Sequence, residues 1–255
     1  MVKLASLDFE DEDMKSHIHQ ELLIIEIKQN AFKIATDISE SNYLFDLLSL
    51  AESQPQIKIV FIFNRPGCLS DIEYQSYLQD VYGKDSVDSI HAPASTKRQV
   101  RQRQINILNH FILEVRRSNK LIVIGLQGCV VTPFFGAALA TDLRYASDDL
   151  VFSLAHVNFG LHPSGALPYF LPKYIGLNHT QNYLYHGGTI SATRALDIGL
   201  INKVYPANNF LDSCLSSLEK IKKNNLNVIM STKQLFNRSA ELERYFEQER
   251  KFSLL

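Results

Sequence analysis

Residues 121–206 read LIVIGLQGCVVTPFFGAALATDLRYASDDLVFSLAHVNFGLHPSGALPYFLPKYIGLNHTQNYLYHGGTISATRALDIGLINKVYP. The stretch opens on an apolar run, Leu121–Leu126, and closes on another, Leu200–Tyr205. Both are short and rich in β-branched and aliphatic residues, which predicts buried strands. After the first comes a turn at Gln127-Gly128 and then Pro133. Proline pre-sets the backbone for a first helical turn, so Pro133–Ala140 predicts a short helix. Asp142–Ala146 and Val151–Ser153 read as short strands around a turn at Ser147–Asp149. Helices follow at roughly 165–174, 177–186 and 191–198.

Working outward, Glu21–Lys28 and Ile57–Phe63 are further buried strands. Between them, Leu44, Leu47, Leu48 and Ala51 recur at helical spacing, so 38–51 completes a strand–helix–strand unit. Val100–Arg117 places Ile105, Leu108, Phe111, Ile112 and Val115 on one helical face. Its arginines read as a solvated face. Residues 81–98 have no period and read as a loop or mobile segment. The acid-rich Asp8–Asp13 reads as a mobile or surface-lying lead-in. Beyond 206 the pattern is helical, at 208–223, 226–238 and 240–252. The organisation expected is an α/β core over 1–205, with 1–20 and 81–98 mobile, followed by a helical region over 206–255.

The chain has 255 residues, 45% of them hydrophobic, and a formal net charge of −1. That suffices for one large domain. It offers no basic field for nucleic acid. Cys68, Cys129 and Cys214 are odd in number and show no CxxC spacing, which fits reduced thiols in a cytoplasmic protein. No run approaches the roughly 18 apolar residues that span a bilayer. The first twenty residues lack the pattern of a signal peptide. His17 with His19, and His162 with His179 and His186, lack metal-ligand spacing, so no metal is expected.

The order of landmarks in 121–206 resembles the crotonase (enoyl-CoA hydratase/isomerase) superfamily. The resemblance rests on the strand 121–126, Gln127-Gly128, Thr141-Asp142, Arg144, Ala146-Ser147, Phe152 and Gly160-Leu161-His162-Pro163. It continues through Leu171-Pro172, Gly176, Ser191-Ala192, Ala195, Gly199-Leu200 and Val204-Tyr205-Pro206. It implies an α/β fold with a ββα spiral core and a C-terminal helical trimerisation region, hence a homotrimer or hexamer. The apolar stripe Leu211, Leu215, Leu218 and Ile221 is the expected trimer contact. Outside this stretch, Cys68–Ile72 is similar to the family's Ala-Gly-x-Asp-Leu turn and Ser231-Thr232-Lys233 to its C-terminal Thr-Lys motif. Ile27–Ala31 is shorter than the family loop that covers the CoA adenine.

The resemblance implies a chemistry. Two backbone N–H groups hold a thioester oxygen while enolate charge develops on it. One donor aligns with Cys68, the other with Pro133, which has no N–H. A one-residue shift gives the role to Thr132 or Phe134, and the Thr132 hydroxyl is a further substitute. The family's two glutamates align with Gly136 and His156, and a third acid position aligns with Ser164. Paired-carboxylate hydration is therefore not expected. His156 is the residue expected to move a proton, with His162 and Ser164 sharing its pocket; otherwise it is a buried histidine donating to a backbone carbonyl. Asp71 and Glu73 read as solvent-facing residues at a helix start. Gly136, Phe134 and Lys233 are the positions expected against substrate. The ligand implied is an acyl thioester of coenzyme A or of an acyl-carrier protein, with no other cofactor. The Gln127-Gly128 pair, the Gly160–Pro163 turn and Glu247–Glu249 also resemble crotonase-like decarboxylases acting on carrier-bound acyl groups. Two readings stand: an isomerase or decarboxylase, and a non-catalytic protein that binds a thioester or a partner.

Overall fold

The computed structural model describes residues 7–35, 38–82, 95–236 and 239–252. Its centre is a seven-stranded sheet in the order β1-β2-β3-β4-β5-β7-β10. β3 (Leu22–Ile27), β4 (Ile59–Asn64), β5 (Leu121–Leu126), β7 (Leu143–Ser147) and β10 (Lys203–Tyr205) run parallel. Their registers place Ile25 beside Ile62 and Ile62 beside Ile124. Parallel strands covered on both faces read as continuous apolar runs, and β4 is buried along its whole length.

The two sheet faces have separate cores. On one, Leu23, Ile25, Val60, Ile62 and Ile122 meet α2 (Ile38–Ser53), α4 (Ser95–Arg117) and α5 (Thr132–Ala138). On the other, Ile24, Phe61, Phe63 and Tyr145 meet Phe210, Cys214 and Leu218 of α8 (Phe210–Lys222) and Leu226 of α9 (Leu226–Phe236). The C-terminal helices thus complete the core of their own chain. Leu218 of the stripe expected at a trimer contact is buried there, Leu215 and Ile221 pack partly against the same cluster, and Leu211 is exposed. The last helix, α10 (Ser239–Phe252), lies on α4 and adds Leu242 and Phe246 to the first core.

Three differences from the sequence reading have physical causes. The acid-rich lead-in is ordered from residue 7: β1 (Phe9–Glu10) and β2 (Met14–His19) extend the sheet, and β2 forms a hairpin with β3. Asp13 is buried, and its carboxylate accepts from Asn30 Nδ2 at 2.7 Å, fixing the start of the short helix α1 (Ala31–Ile34). Polar alternation along MKSHIH hid the strand next to the sheet's edge. Secondly, α3 (Asp71–Tyr82) takes the first two residues of the expected 81–98 loop, and α4 begins at Ser95; residues 83–94 of that loop lie outside the described residues, as do 1–6 of the lead-in. Thirdly, a small second sheet, β6 (Cys129–Val131), β8 (Val151–Ser153) and β9 (Thr189–Ser191), stands apart from the first. The two helices expected at 165–186 are present as α6 (Leu167–His186), broken at Gly176 with φ +74°.

Candidate active site

Two turns meet beside the second sheet. β4 ends in Asn64, and the turn that follows carries Cys68 and Leu69 before α3 begins. β6 leads without a break into α5. Val131 N–H donates to Leu69 O at 2.9 Å, so the turns aligned with the two thioester-holding positions lie side by side. Cys68 is buried, and burial pushes its thiol up to about 12. Pro133 sits in the first turn of α5. A helix start normally presents four free N–H groups, and this one lacks the proline's. Phe134 is the one α5 residue that is not buried.

The position aligned with the first glutamate is closed by backbone. A Cβ on Gly136 would collide with the Gly165 carbonyl oxygen and stand 2.8 Å from the Gly165 carbon and 2.9 Å from Leu167 N. In return, a Cβ on Gly165 would collide with the Pro133 carbonyl oxygen and stand 3.2 Å from Ala137 N, and Gly165 has φ +71°. Gly136 is required by the backbone of Gly165, and Gly165 by that of Pro133. Gly136 therefore packs the loop before α6 and does not face substrate, a correction to its expected role.

His156 takes the second placement given for it, that of a buried histidine donating to a backbone carbonyl. It is 2% exposed, in a 3-10 turn over Ala155–Val157. Nε2 lies 3.0 Å from Leu184 O, and Nδ1 lies 3.1 Å from Thr132 Oγ1. A carbonyl only accepts, so Nε2 carries a proton. Leu184 is in the last turn of α6, where carbonyls lack helical donors. The ring thus caps a helix end with one nitrogen and holds Thr132 with the other. The Thr132 hydroxyl also lies 3.1 Å from Ser153 O. With a neutral ring the hydroxyl donates to Nδ1; with a charged ring Nδ1–H donates to the hydroxyl, which then donates to Ser153 O. Both ring nitrogens face protein, and His156 is a positioning residue here. The sequence left open which carbonyl is bound, because Leu184 contributes only its backbone.

What the sequence reading left in solvent lies inside. Asp71 Oδ2 accepts from Ser153 Oγ at 2.7 Å, and its Oδ1 is buried with no hydrogen-bond partner among the described residues. Glu73 does face solvent. Ser164 is 1% exposed and its hydroxyl likewise has no partner, while His162 is half-buried. Among the expected site residues, Thr132 and His156 touch, and Asp71 joins them through Ser153. Lys233 does not join them. It is buried in α9, and its Nζ reaches Asp142 at 2.8 Å, Lys120 O at 2.7 Å and Val115 O at 3.2 Å. An ammonium has three donors, and all three are engaged. Burial lowers its pKa against the raising effect of Asp142. Lys233 ties α9 to α4 and β5 instead of reaching a ligand.

Two environments flank Phe134. On one side its ring meets Phe32 at 4.8 Å, and Phe32 stacks on Tyr74 at 5.0 Å and Tyr77 at 5.3 Å. Tyr74 in turn meets Phe159 at 5.4 Å, so α1, α3 and the loop before α6 close together. On the other side lies an apolar cavity of about 100 Å³, bounded by Phe134, Leu69 and helices α1, α2 and α4. Among the described residues no group of three His, Cys, Asp or Glu is placed to hold a metal, and no helix is long and apolar enough to cross a membrane.

A sequence model of the enoyl-CoA hydratase/isomerase family matches residues 87–253. The chain belongs to the enoyl-CoA hydratase/isomerase family. A probable enoyl-CoA hydratase of Mycobacterium tuberculosis is 31% identical over 125 residues, 49% of this chain and 44% of that protein. A trans-2-decenoyl-[acyl-carrier-protein] isomerase of Streptococcus mutans is 25% identical over 153 residues, 60% of this chain and 58% of that protein. The chain spans about half the length of these curated relatives. The crystal structure of an enoyl-CoA hydratase from Bacillus halodurans superposes with a TM-score of 0.77 at 22% identity, covering 95% of this chain and 94% of that one. The mixed α/β architecture is thus that of the enoyl-CoA hydratase/isomerase family.

Proposed function

We propose that this family member acts on an acyl thioester, carried by coenzyme A or by an acyl-carrier protein, as an isomerase or decarboxylase and not as a standard hydratase. The Gly136–Gly165 contact carries the reading. Hydration by paired carboxylates needs one group to activate water and another to handle the α-proton. No carboxylate fits at 136, because even a Cβ collides there. Decarboxylation needs little more than stabilised enolate charge. The bond to the departing carboxylate breaks, CO₂ leaves, and the electron pair spreads from the α-carbon to the thioester oxygen before a solvent proton takes it. The isomerase among the relatives supports the carrier-protein arm. On the family resemblance we place the protein in the cytoplasm as a homotrimer or hexamer, needing no cofactor beyond the thioester.

A second reading, thioester binding without chemistry, is favoured by His156, whose ring nitrogens both face protein. Incubation with 3-enoyl-, dienoyl-, malonyl- and crotonyl-type CoA thioesters, beside calorimetric binding, separates the two. The expected result is turnover of a 3-enoyl or malonyl type with crotonyl-CoA hydration absent. A missing oxyanion donor alone costs about 10²–10³ in rate, and a missing acid–base group about 10²–10⁴. Binding without turnover of any member overturns the catalytic reading. Crotonyl-CoA hydration at an ordinary hydratase rate overturns both.

A further inference from the structure

Helix α6 breaks at Gly176, where φ is +74° and a Cβ would meet nothing within 4 Å. The residue is glycine for its backbone and not for space. Tyr174 and Ile175 come from the limb before the break, and His179 and Tyr183 from the limb after it. α7 (Ala192–Asp197) and its C-cap add Arg194 and Ile198. These residues line a cleft of about 190 Å³, which shares none of them with the turns at Cys68 and Pro133 or with the cavity beside Phe134. The lining contains a guanidinium and an imidazole but no carboxylate. Arg194 is exposed; its backbone is held by Ser191 Oγ and Ile198 N–H, while its guanidinium meets no acceptor among the described residues. More positive charge lies beside Tyr174. The guanidinium of Arg144, 3% exposed, is 5.0 Å from the centre of that ring and donates to the carbonyls Leu200 O and Thr141 O. A second cleft on Tyr174, of about 180 Å³, gives the contrast. There Lys173 Nζ lies 3.8 Å from Glu241 and 3.5 Å from the centre of the Tyr169 ring, and Arg116 donates to Phe236 O at 3.2 Å. The cations of that cleft have partners, and Arg194 has none among the described residues.

We propose that the cleft between α6 and α7 is a binding site for a compact aromatic carboxylate. The inference stands apart from the thioester reading and does not depend on it. A guanidinium takes a carboxylate through two parallel N–H···O bonds, so Arg194 holds the charge. Ile175 and Ile198 offer apolar surface to a ring, and the tyrosine rings meet it face to face or edge on. The size agrees: an engineered cavity of about 150 Å³ holds benzene, so one of about 190 Å³ holds a single ring with its carboxylate. A phosphate dianion fits less well, because it calls for several cations or a run of backbone N–H groups and this lining has one arginine. A dicarboxylate leaves its second charge against isoleucine and is rejected.

The test is binding of benzoate to the full chain, measured by calorimetry and followed by NMR. Saturable binding is expected with a dissociation constant of about 1 mM, the scale for so small a ligand. The His179 ring resonances are expected to shift and those of His156 to stay. Arg194→Met is expected to weaken binding more than about tenfold, and Arg194→Lys, which keeps the charge and loses the fork, about threefold. Ile198→Ala is expected to cost about threefold through lost apolar contact. Benzamide, which lacks the charge, and acetate, which lacks the ring, are each expected to bind about tenfold more weakly than benzoate. Lys173→Met, in the other cleft, is expected to leave the constant unchanged. Arg194 is exposed, so thermal unfolding of Arg194→Met is expected to match the parent protein and to show that its loss of binding is local. Absence of saturable benzoate binding, or binding that ignores Arg194→Met, overturns the site. Inorganic phosphate that binds more tightly than benzoate overturns the ligand class.

Discussion

Where α5 meets the loop before α6, backbone touches backbone at Gly136 and Gly165. Where α5 meets the turn after β8, side chains touch instead: Thr132 against His156, with Ser153 and Asp71 beyond. The two contacts lie about one turn apart on one seven-residue helix. The first has no rotor and no volume to yield, because the atoms that would move are main chain. The second contains a hydroxyl and an imidazole that exchange donor and acceptor roles without moving heavy atoms. The helix is rigid at Gly136 and adaptable at Thr132.

The sharpest way to break this contrast is Gly136→Glu. It puts a Cβ into backbone and an unpaired carboxylate into the core, and is expected to cost more than about 4 kcal/mol in denaturant unfolding. It should restore no hydration. A folded Gly136→Glu protein of native stability would show that the loop before α6 yields easily, and the contrast would fail. Next comes a control outside both contacts: Lys233→Met strands Asp142, and loss of one partner of a buried pair costs about 3–5 kcal/mol. A change under about 1 kcal/mol would mean that Lys233 is free to leave the α9–β5 junction after all.

His156→Gln probes the adaptable contact and should cost less, about 1–3 kcal/mol for a buried acceptor at Leu184 left unsatisfied. Partial recovery in a His156→Gln, Thr132→Val double variant would sharpen the picture of an exchanging pair; strict additivity would dissolve it. The last effect is absent at neutral pH and appears only in alkaline solution. Burial pushes the Cys68 and Cys214 thiols up to about 12 from the ordinary 9.0. Their folded values are raised, so their contribution to stability is complete below pH 9.0 and is lost as pH rises toward about 12. The slope is up to about 1.4 kcal/mol per pH unit for each thiol. Cys214→Ala should flatten the alkaline limb of a stability–pH curve. An unchanged limb would place its thiol in solvent.

The parallel strands were legible because their signal is local: Leu121–Leu126 is apolar throughout and is a strand with those same limits. The gap between the helices expected at 165–174 and 177–186 likewise falls on the break at Gly176. The strand Met14–His19, paired on its outer side with the two-residue β1, was not legible, since Lys15, Ser16, His17 and His19 leave it no apolar run. The site was legible in its omissions: Pro133 lacks an N–H and Gly136 lacks a side chain in any structure. Its additions were hidden. Nothing near Asp71 in sequence points to Ser153, 82 residues away. Lys233 matched a motif, but its three acceptors come from α4, the α4–β5 turn and Asp142, and only folding brings them together.

The paired glycines also restrict how this protein can change by single substitutions. A side chain at 136 requires the chain at 165 to retreat, and a side chain at 165 requires Pro133 to retreat. A carboxylate at 136 must therefore arrive together with a rebuilt loop before α6, because the atoms in its way are main chain and cannot rotate aside.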